Sequence, residues 1–213
     1  MFIMPKKAMF VYAHMDDETI LSYGTIAKLV DFGCSVKLMC VCGNGRKNDD
    51  GLQKKRELAF LNIVDNLGID VVRFDYNDLT LTDEVRPKIE HEIHDFSPDT
   101  VFTHSKDEQH FEHCFIGNTV LVACRSTSKS TVLRLFSTSS QTRLWKYESF
   151  SPNLFINISK YADEKKSALK LYGEELGNDL RSAEATMTWN KMWGLVSNSE
   201  YSEPYNLVFD RSL

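Results

Sequence analysis

Two short stretches of the 213-residue chain concentrate side chains that bind metals or move protons. The first is Ala13-His14-Met15-Asp16-Asp17-Glu18, reached straight from the apolar run Ala8-Met9-Phe10-Val11-Tyr12. The second runs from Ser105 to His113 and ends in His110-Phe111-Glu112-His113, directly after Thr100–His104. Imidazole and carboxylate without thiolate is the ligand mix of a catalytic zinc site, where three protein ligands leave one position for water. A divalent cation would lower the pKa of that water towards ~7 and polarise a carbonyl oxygen, the two needs of amide hydrolysis. A carboxylate acting as general base and a histidine facing the oxyanion would complete the apparatus. Each stretch also has an ordinary explanation. Acidic residues suit the start of a helix, and two histidines three apart share one face of a helical turn without any metal. His91 and His94 read as surface positions on a polar helix.

Strands and helices must carry these groups to one place. An apolar run that stops at a polar cluster reads as a buried strand, and Thr19 to Val30 reads as the helix after it, with Gly33 as its stop. Ser35–Val41 is a second strand and Leu52–Leu67 a helix ended by Gly68. Ile69–Phe74, Thr100–His104 and Thr131–Phe136 follow as strands, with helices over Asp83–Phe96 and Phe115–Cys124 between them. This alternation predicts an α/β, Rossmann-like fold: a mainly parallel sheet with helices on both faces. In such a sheet the C-terminal strand ends share one edge, so the two clusters converge there. Beyond Ser137 the pattern is less regular, with a strand over Asn153–Ile158 and a helix capped by Ser159 and running to about Leu176.

Length and composition fit one domain over residues 1–213, with 42% hydrophobic residues and no linker. Net charge is −5 without a basic run, which argues against nucleic acid or an anionic membrane as the main partner. No N-terminal stretch is apolar for long enough to be a signal peptide or a membrane span. Five cysteines, an odd number, point to reduced thiols and a cytoplasmic location. Cys40 and Cys42 lie two apart in a strand and are expected on one side of it.

Ala13-His14-Met15-Asp16-Asp17-Glu18 resembles the AHPDDE signature of the LmbE-like, or PIG-L, zinc-dependent de-N-acetylases. Val101–Ser105 followed by His110-Phe111-Glu112-His113 resembles that family's second motif, H-x-D-H after a similar strand. Arg56-Glu57 is similar to the pair that opens its second helix. The stretch from Phe155 to Tyr172 resembles its late strand–helix segment, and Arg181-Ser182 and Tyr201-Ser202-Glu203 resemble remnants of its C-terminal motifs.

The resemblance implies His14, Asp17 and His113 as ligands of Zn2+, with Fe2+, Co2+ or Ni2+ as other ions that this donor set suits. It implies Asp16 as general base, His110 as the histidine that stabilises the tetrahedral intermediate, and Glu112 in the place of an aspartate that orients His110. Arg56 would contact substrate. The reaction implied is removal of acetyl from a small N-acetylglucosamine-type sugar, free or linked to a nucleotide, lipid or other conjugate. Met15 stands where the family has proline and Glu112 where it has aspartate, and neither change removes a ligand or the base. Two alternatives remain open: a non-catalytic metal- or sugar-binding protein of the same fold, and a nucleotide-binding protein using the Gly43–Gly51 loop. That loop and Ser137–Pro152 are candidate lid segments by composition.

Overall fold

The computed structural model describes residues 2–43, 50–76, 80–125, 130–139, 151–173 and 182–212. Its strands are β1 (Lys7–Tyr12), β2 (Ser35–Cys42), β3 (Asp70–Tyr76), β4 (Thr100–His104), β5 (Arg134–Thr138), β6 (Leu154–Asn157) and β7 (Ser202–Asp210). They form one sheet in the order β3-β2-β1-β4-β5-β7-β6. The first five strands are parallel to one another, while β7 runs antiparallel between β5 and β6. The expected mainly parallel α/β sheet is present, closed at one edge by an antiparallel pair.

The apolar run of β1 does not alternate with polar residues because both faces of the sheet are covered. Ala8, Phe10 and Tyr12 pack in one layer with α1 (Tyr23–Asp31), α2 (Asp50–Leu67), α5 (Ala162–Tyr172) and α6 (Ala183–Val196). Met9 and Val11 pack in the other with α3 (Val85–Phe96) and α4 (Phe111–Ala123). Cys40 and Cys42 part company here. Cys40 belongs to the first layer and Cys42 to the second, because the pairing of β2 with β3 slips between them and the alternation breaks.

Three local departures from the expected pattern bear on the site. The segment expected as one helix from Thr19 begins instead as a π turn, Glu18–Ser22, before α1. A widened turn strands backbone groups, and two buried side chains answer them. Lys165 Nζ donates to the Ile20 carbonyl at 3.0 Å and to the Glu203 carboxylate at 2.6 Å. Glu203 in turn accepts the backbone N–H groups of Gly24 and Thr25. Both side chains of this ion pair are fully buried, and each is held by further hydrogen bonds.

The second departure is α4, which starts at Phe111, four residues before the expected Phe115, so the H-x-E-H residues lie in or next to its first turn. Third, α6 and β7 were not anticipated, and they supply Glu203 and close the sheet edge. Ser182 caps α6, its hydroxyl accepting from the Ala185 N–H. Ser159 opens a 3-10 turn rather than capping a helix, and α5 begins at Ala162. The expected continuation to Leu176, and Arg181, lie outside the described residues.

α4 comes close enough to present His113 because Gly117 has no side chain. A Cβ there would sit 2.6 Å from the His104 carbonyl oxygen and 2.9 Å from the Ser105 carbonyl carbon, both backbone atoms. Gly117→Ala is therefore expected to lower stability by ~1–3 kcal/mol despite alanine's better helix propensity. Urea unfolding checks this, and an unchanged or higher midpoint would mean the helix has room to spare.

Candidate active site

β1 and β4 lie side by side where the strand order reverses, the place where open α/β sheets bind their ligands. The two strand ends are tied together by the Ala13 N–H, which donates to His104 Nε2 at 3.0 Å. The chain after β1 brings His14, Asp16 and Asp17 to this edge. The loop after β4 and the start of α4 bring Glu108, His110, Glu112 and His113.

Three donor atoms meet at the centre. His14 Nδ1 lies 3.1 Å from His113 Nε2, and Asp17 Oδ2 lies 3.4 Å from each of them. The outward nitrogens of both rings face carboxylates: His14 Nε2 is 2.5 Å from Glu112 Oε2, and His113 Nδ1 is 2.9 Å from Glu108 Oε2. A carboxylate only accepts, so each ring places a proton on its outward nitrogen. With the rings neutral, as metal ligands are, the inward nitrogens are lone pairs facing each other and the Asp17 oxygen, which also accepts the His14 backbone N–H at 2.8 Å. Three acceptors in one triangle repel unless a positive charge sits among them. A tetrahedral cation with bonds of ~2.0–2.1 Å spaces its ligands by about 3.3–3.4 Å, which matches the edges of this triangle. The residues fit a divalent metal.

The titration behaviour of the groups points the same way. Burial opposes charge on His14, yet the Asp17 and Glu112 carboxylates outweigh it and lift its pKa to about 10. Burial likewise opposes charge on His113, and Asp17 and Glu108 hold its pKa above the usual range. Against the cost of burial, His113, His104 and His14 hold the Asp17 carboxyl well below the ordinary carboxylate range. The cluster favours positive charge at its centre, and a cation binding there displaces the proton.

Asp16 is buried beside the triangle, with an oxygen within 4.8 Å of the His14 and Asp17 donors. Arg56 reaches it from α2, Nη2 lying 3.5 Å from Asp16 Oδ2, so this arginine sits on the carboxylate. His110 stands at the mouth with its side chain 52% exposed. Its ring stacks on His113 at 4.5 Å between centroids and meets His14 edge-on at 5.1 Å. Burial first, then the positive charges of His113 and His14, push its pKa down, which favours the neutral imidazole. The Glu112 carboxylate, expected on His110, bonds to His14 and stays 3.9 Å from His110. Met15, in the place of the usual proline, is buried in the layer with α2.

Two members of the cluster escaped the sequence. Glu108 fixes the tautomer of His113 and is itself held by the Ser139 hydroxyl. His104 ends β4 fully buried, stacked on His113 at 3.9 Å and 10°, with Nε2 3.3 Å from Asp17 Oδ2. Burial first, then His113, pushes its pKa down. Glu108 had no visible signal, being one of several charges in a polar run. His104 looked like the last residue of a strand, which it also is. Of the two candidate lid segments, residues 44–49 and 140–150 lie outside the described residues, and with them most of the candidate nucleotide loop.

A cation-sized triangle with a spare carboxylate and a histidine at its mouth is the equipment of a metal-assisted amide hydrolase. The chain belongs to the PIG-L family, described as GlcNAc-PI de-N-acetylase, which matches residues 9–124, more than half of its length. The family is one of deacetylases, typically metal-dependent. A stretch of 53 residues is 47% identical to the 1D-myo-inositol 2-acetamido-2-deoxy-alpha-D-glucopyranoside deacetylase of Segniliparus rotundus. That stretch is 25% of this chain and only 16% of the relative.

Among solved structures, the N,N'-diacetylchitobiose deacetylase from Pyrococcus horikoshii superposes with a TM-score of 0.78 at 20% identity, over 96% of this chain and 84% of that one. GalB, the 4-carboxy-2-hydroxymuconate hydratase of Pseudomonas putida KT2440, gives 0.80 at 17% identity over 98% of both. These likenesses are of fold, which a hydratase shares as fully as a deacetylase. Among the described residues, no helix is long and apolar enough to cross a membrane.

Glu18 adds a pH dependence. Its Oε1 accepts from Thr19 and Tyr172, each at 2.6 Å, Oε2 is buried without a partner, and burial pushes the pKa up to about 8. The native state thus keeps a proton that the unfolded chain releases near pH ~4.3, so stability falls as pH rises between these values. Glu18→Gln should remove this slope, which reaches ~1.4 kcal/mol per pH unit. Unfolding free energies at pH 5, 6.5 and 8 check it, and parallel profiles for the two proteins would show that Glu18 is ionised throughout.

Proposed function

We propose that residues 1–213 form one deacetylase domain that removes the N-acetyl group from an N-acetylglucosamine-type amino sugar, releasing acetate and a free amine. The observation that carries this is the 3.1–3.4 Å triangle of His14, Asp17 and His113 with Asp16 beside it, in a chain of the PIG-L family. His14, Asp17 and His113 would hold the cation, with Zn2+ the first choice for two imidazoles and a carboxylate. When bound, the cation lowers the pKa of a water towards ~7 and polarises the acetamide carbonyl.

The chain's own groups do the rest. Asp16 takes the proton of the attacking water and passes it to the departing amine nitrogen. Arg56, 3.5 Å from Asp16 Oδ2, holds the Asp16 carboxylate in line, and its place at the wall of the site also suits a contact with the sugar. His110, at the mouth with its pKa pushed down, donates an N–H to the oxygen that gains negative charge. Glu112 and Glu108 keep His14 and His113 turned inward, the usual task of carboxylates behind metal-binding histidines. Five free thiols, four of them buried, suit a reducing cytoplasm.

Acetate release from a panel of N-acetylhexosamine compounds tests this. Asp16→Asn is expected to keep its metal and lose activity, whereas a loss of metal would mean that Asp16 is a ligand and not the base. His110→Ala should lower kcat by about 100- to 1000-fold with metal content unchanged. Stoichiometric metal without acetate from any compound would favour a binding protein of the same fold.

A further inference from the structure

Lys165 and Glu203 form an ion pair with both side chains wholly buried, and neither belongs to the triangle. Burying two charges adds little net stability, so stability alone does not account for the pair. Its partners do. Lys165 Nζ donates to the carbonyl of Ile20, in the π turn, at 3.0 Å. Glu203 accepts the Gly24 N–H at 3.0 Å and the Thr25 N–H at 2.8 Å, both in the first turn of α1. Between these two points the helix is broken, with Ser22 at φ −142° and ψ 6°. The lysine caps the piece that ends and the carboxylate caps the piece that begins, each at the helix end that favours its charge. One ion pair closes both sides of the break.

The first piece cannot hold itself. It is five residues long, Glu18–Ser22, far below the length at which a helix is stable alone. Asp17 stands where a capping side chain would, yet it makes no cap hydrogen bond. Its carboxylate is turned to the site instead, accepting the His14 N–H at 2.8 Å and facing His113 at 3.4 Å. The backbone of both site aspartates still moves with this piece. The Thr19 and Ile20 N–H groups bond to the Asp16 carbonyl at 3.1 and 2.9 Å, and Asp17 lies between them in the chain. Whatever orients the piece therefore orients Asp16 and Asp17.

We propose that Lys165 and Glu203 are positioning residues for the reaction: from α5 and β7 they fix the π turn, and through it the ligand Asp17 and the base Asp16. The proposal rests on that reading of the two aspartates, whereas an amide-exchange measurement on the turn does not. Loss of the pair is expected to act on metal affinity through Asp17 and on turnover through Asp16.

The double variant Lys165→Met/Glu203→Gln removes both charges together and keeps an oxygen for the Gly24 and Thr25 N–H groups. Leu169→Ala, a cavity on the same helix and in the same layer, controls for loosened packing. Zinc affinity, measured by chelator competition, and kcat at saturating zinc should each fall about tenfold in the double variant and stay at wild-type values in Leu169→Ala. A wild-type value of either quantity in the double variant, or an equal loss in Leu169→Ala, overturns the proposal. Amide exchange of residues 13–22 in zinc-free protein needs neither metal nor turnover. Exchange about tenfold faster in the double variant supports the proposal, and unchanged exchange overturns it. If the double variant does not fold, Thr25→Val takes its place, since it removes only the hydroxyl that Glu203 and Tyr205 share. The changes expected are then about threefold, with the same results overturning the proposal.

Discussion

Three acceptors that face one another across 3.1–3.4 Å are the constraint on which the site depends. His14, Asp17 and His113 come from two distant parts of the chain, and with Glu112 and Glu108 holding the outer ring protons only the His14 backbone N–H, donating to Asp17 Oδ2 at 2.8 Å, relieves the triangle when the rings are neutral. Such an arrangement is costly unless a cation occupies it. The carboxylates behind the histidines act at a distance of one ring: they set the tautomers and raise the basicity of the inward nitrogens. Taking Glu108 away would free His113 to turn or to change tautomer, even though Glu108 touches no ligand atom at the centre.

Holding these acceptors in place takes structure well outside the site. The π turn after Asp17 is pinned by Lys165 and Glu203, a wholly buried ion pair whose remaining polar atoms bond to backbone and to Thr25. A buried ion pair contributes little net stability, but breaking one is severe, by about 3–5 kcal/mol, which makes this pair a device for specifying one geometry. On the other side, Gly117 lets α4 approach the end of β4, and the Ala13 N–H ties β1 to His104. The neutral Glu18 lies under the same turn and spares the triangle one more negative charge. The C-terminal third of the chain is thus a clamp on the turn.

Much of this was legible in the sequence. The run Ala8–Tyr12 announced a strand covered on both faces, and the polar clusters after the first and fourth strands converge as strand order dictates. Thr100–His104 fell where expected because apolar β-branched and aromatic residues end abruptly in charge. What the sequence hid has physical causes. The start of α4 was obscured because its first turn is all polar and aromatic, Phe111 to Cys114, without the apolar spacing that marks a helix. The π turn has no local signature, since its partners Lys165 and Glu203 lie some 145 and 180 residues further on. α6 and β7 were missed because a helix with tryptophans on a partly open face and a strand beginning Ser-Glu-Pro imitate neither simple pattern. Cys40 and Cys42 separated because a slip in strand pairing cannot be read from residue types.

The central claim is that the triangle is a cation site made of two imidazoles and one carboxylate. X-ray absorption on protein equilibrated with zinc, with metal content measured in parallel, tests it most directly. One zinc per chain with nitrogen and oxygen neighbours at ~2.0–2.1 Å, no sulfur, and loss of the ion in His113→Ala is the result expected. Sulfur in the coordination shell, or full metal content in His113→Ala, would contradict it and move the metal away from the ends of β1 and β4.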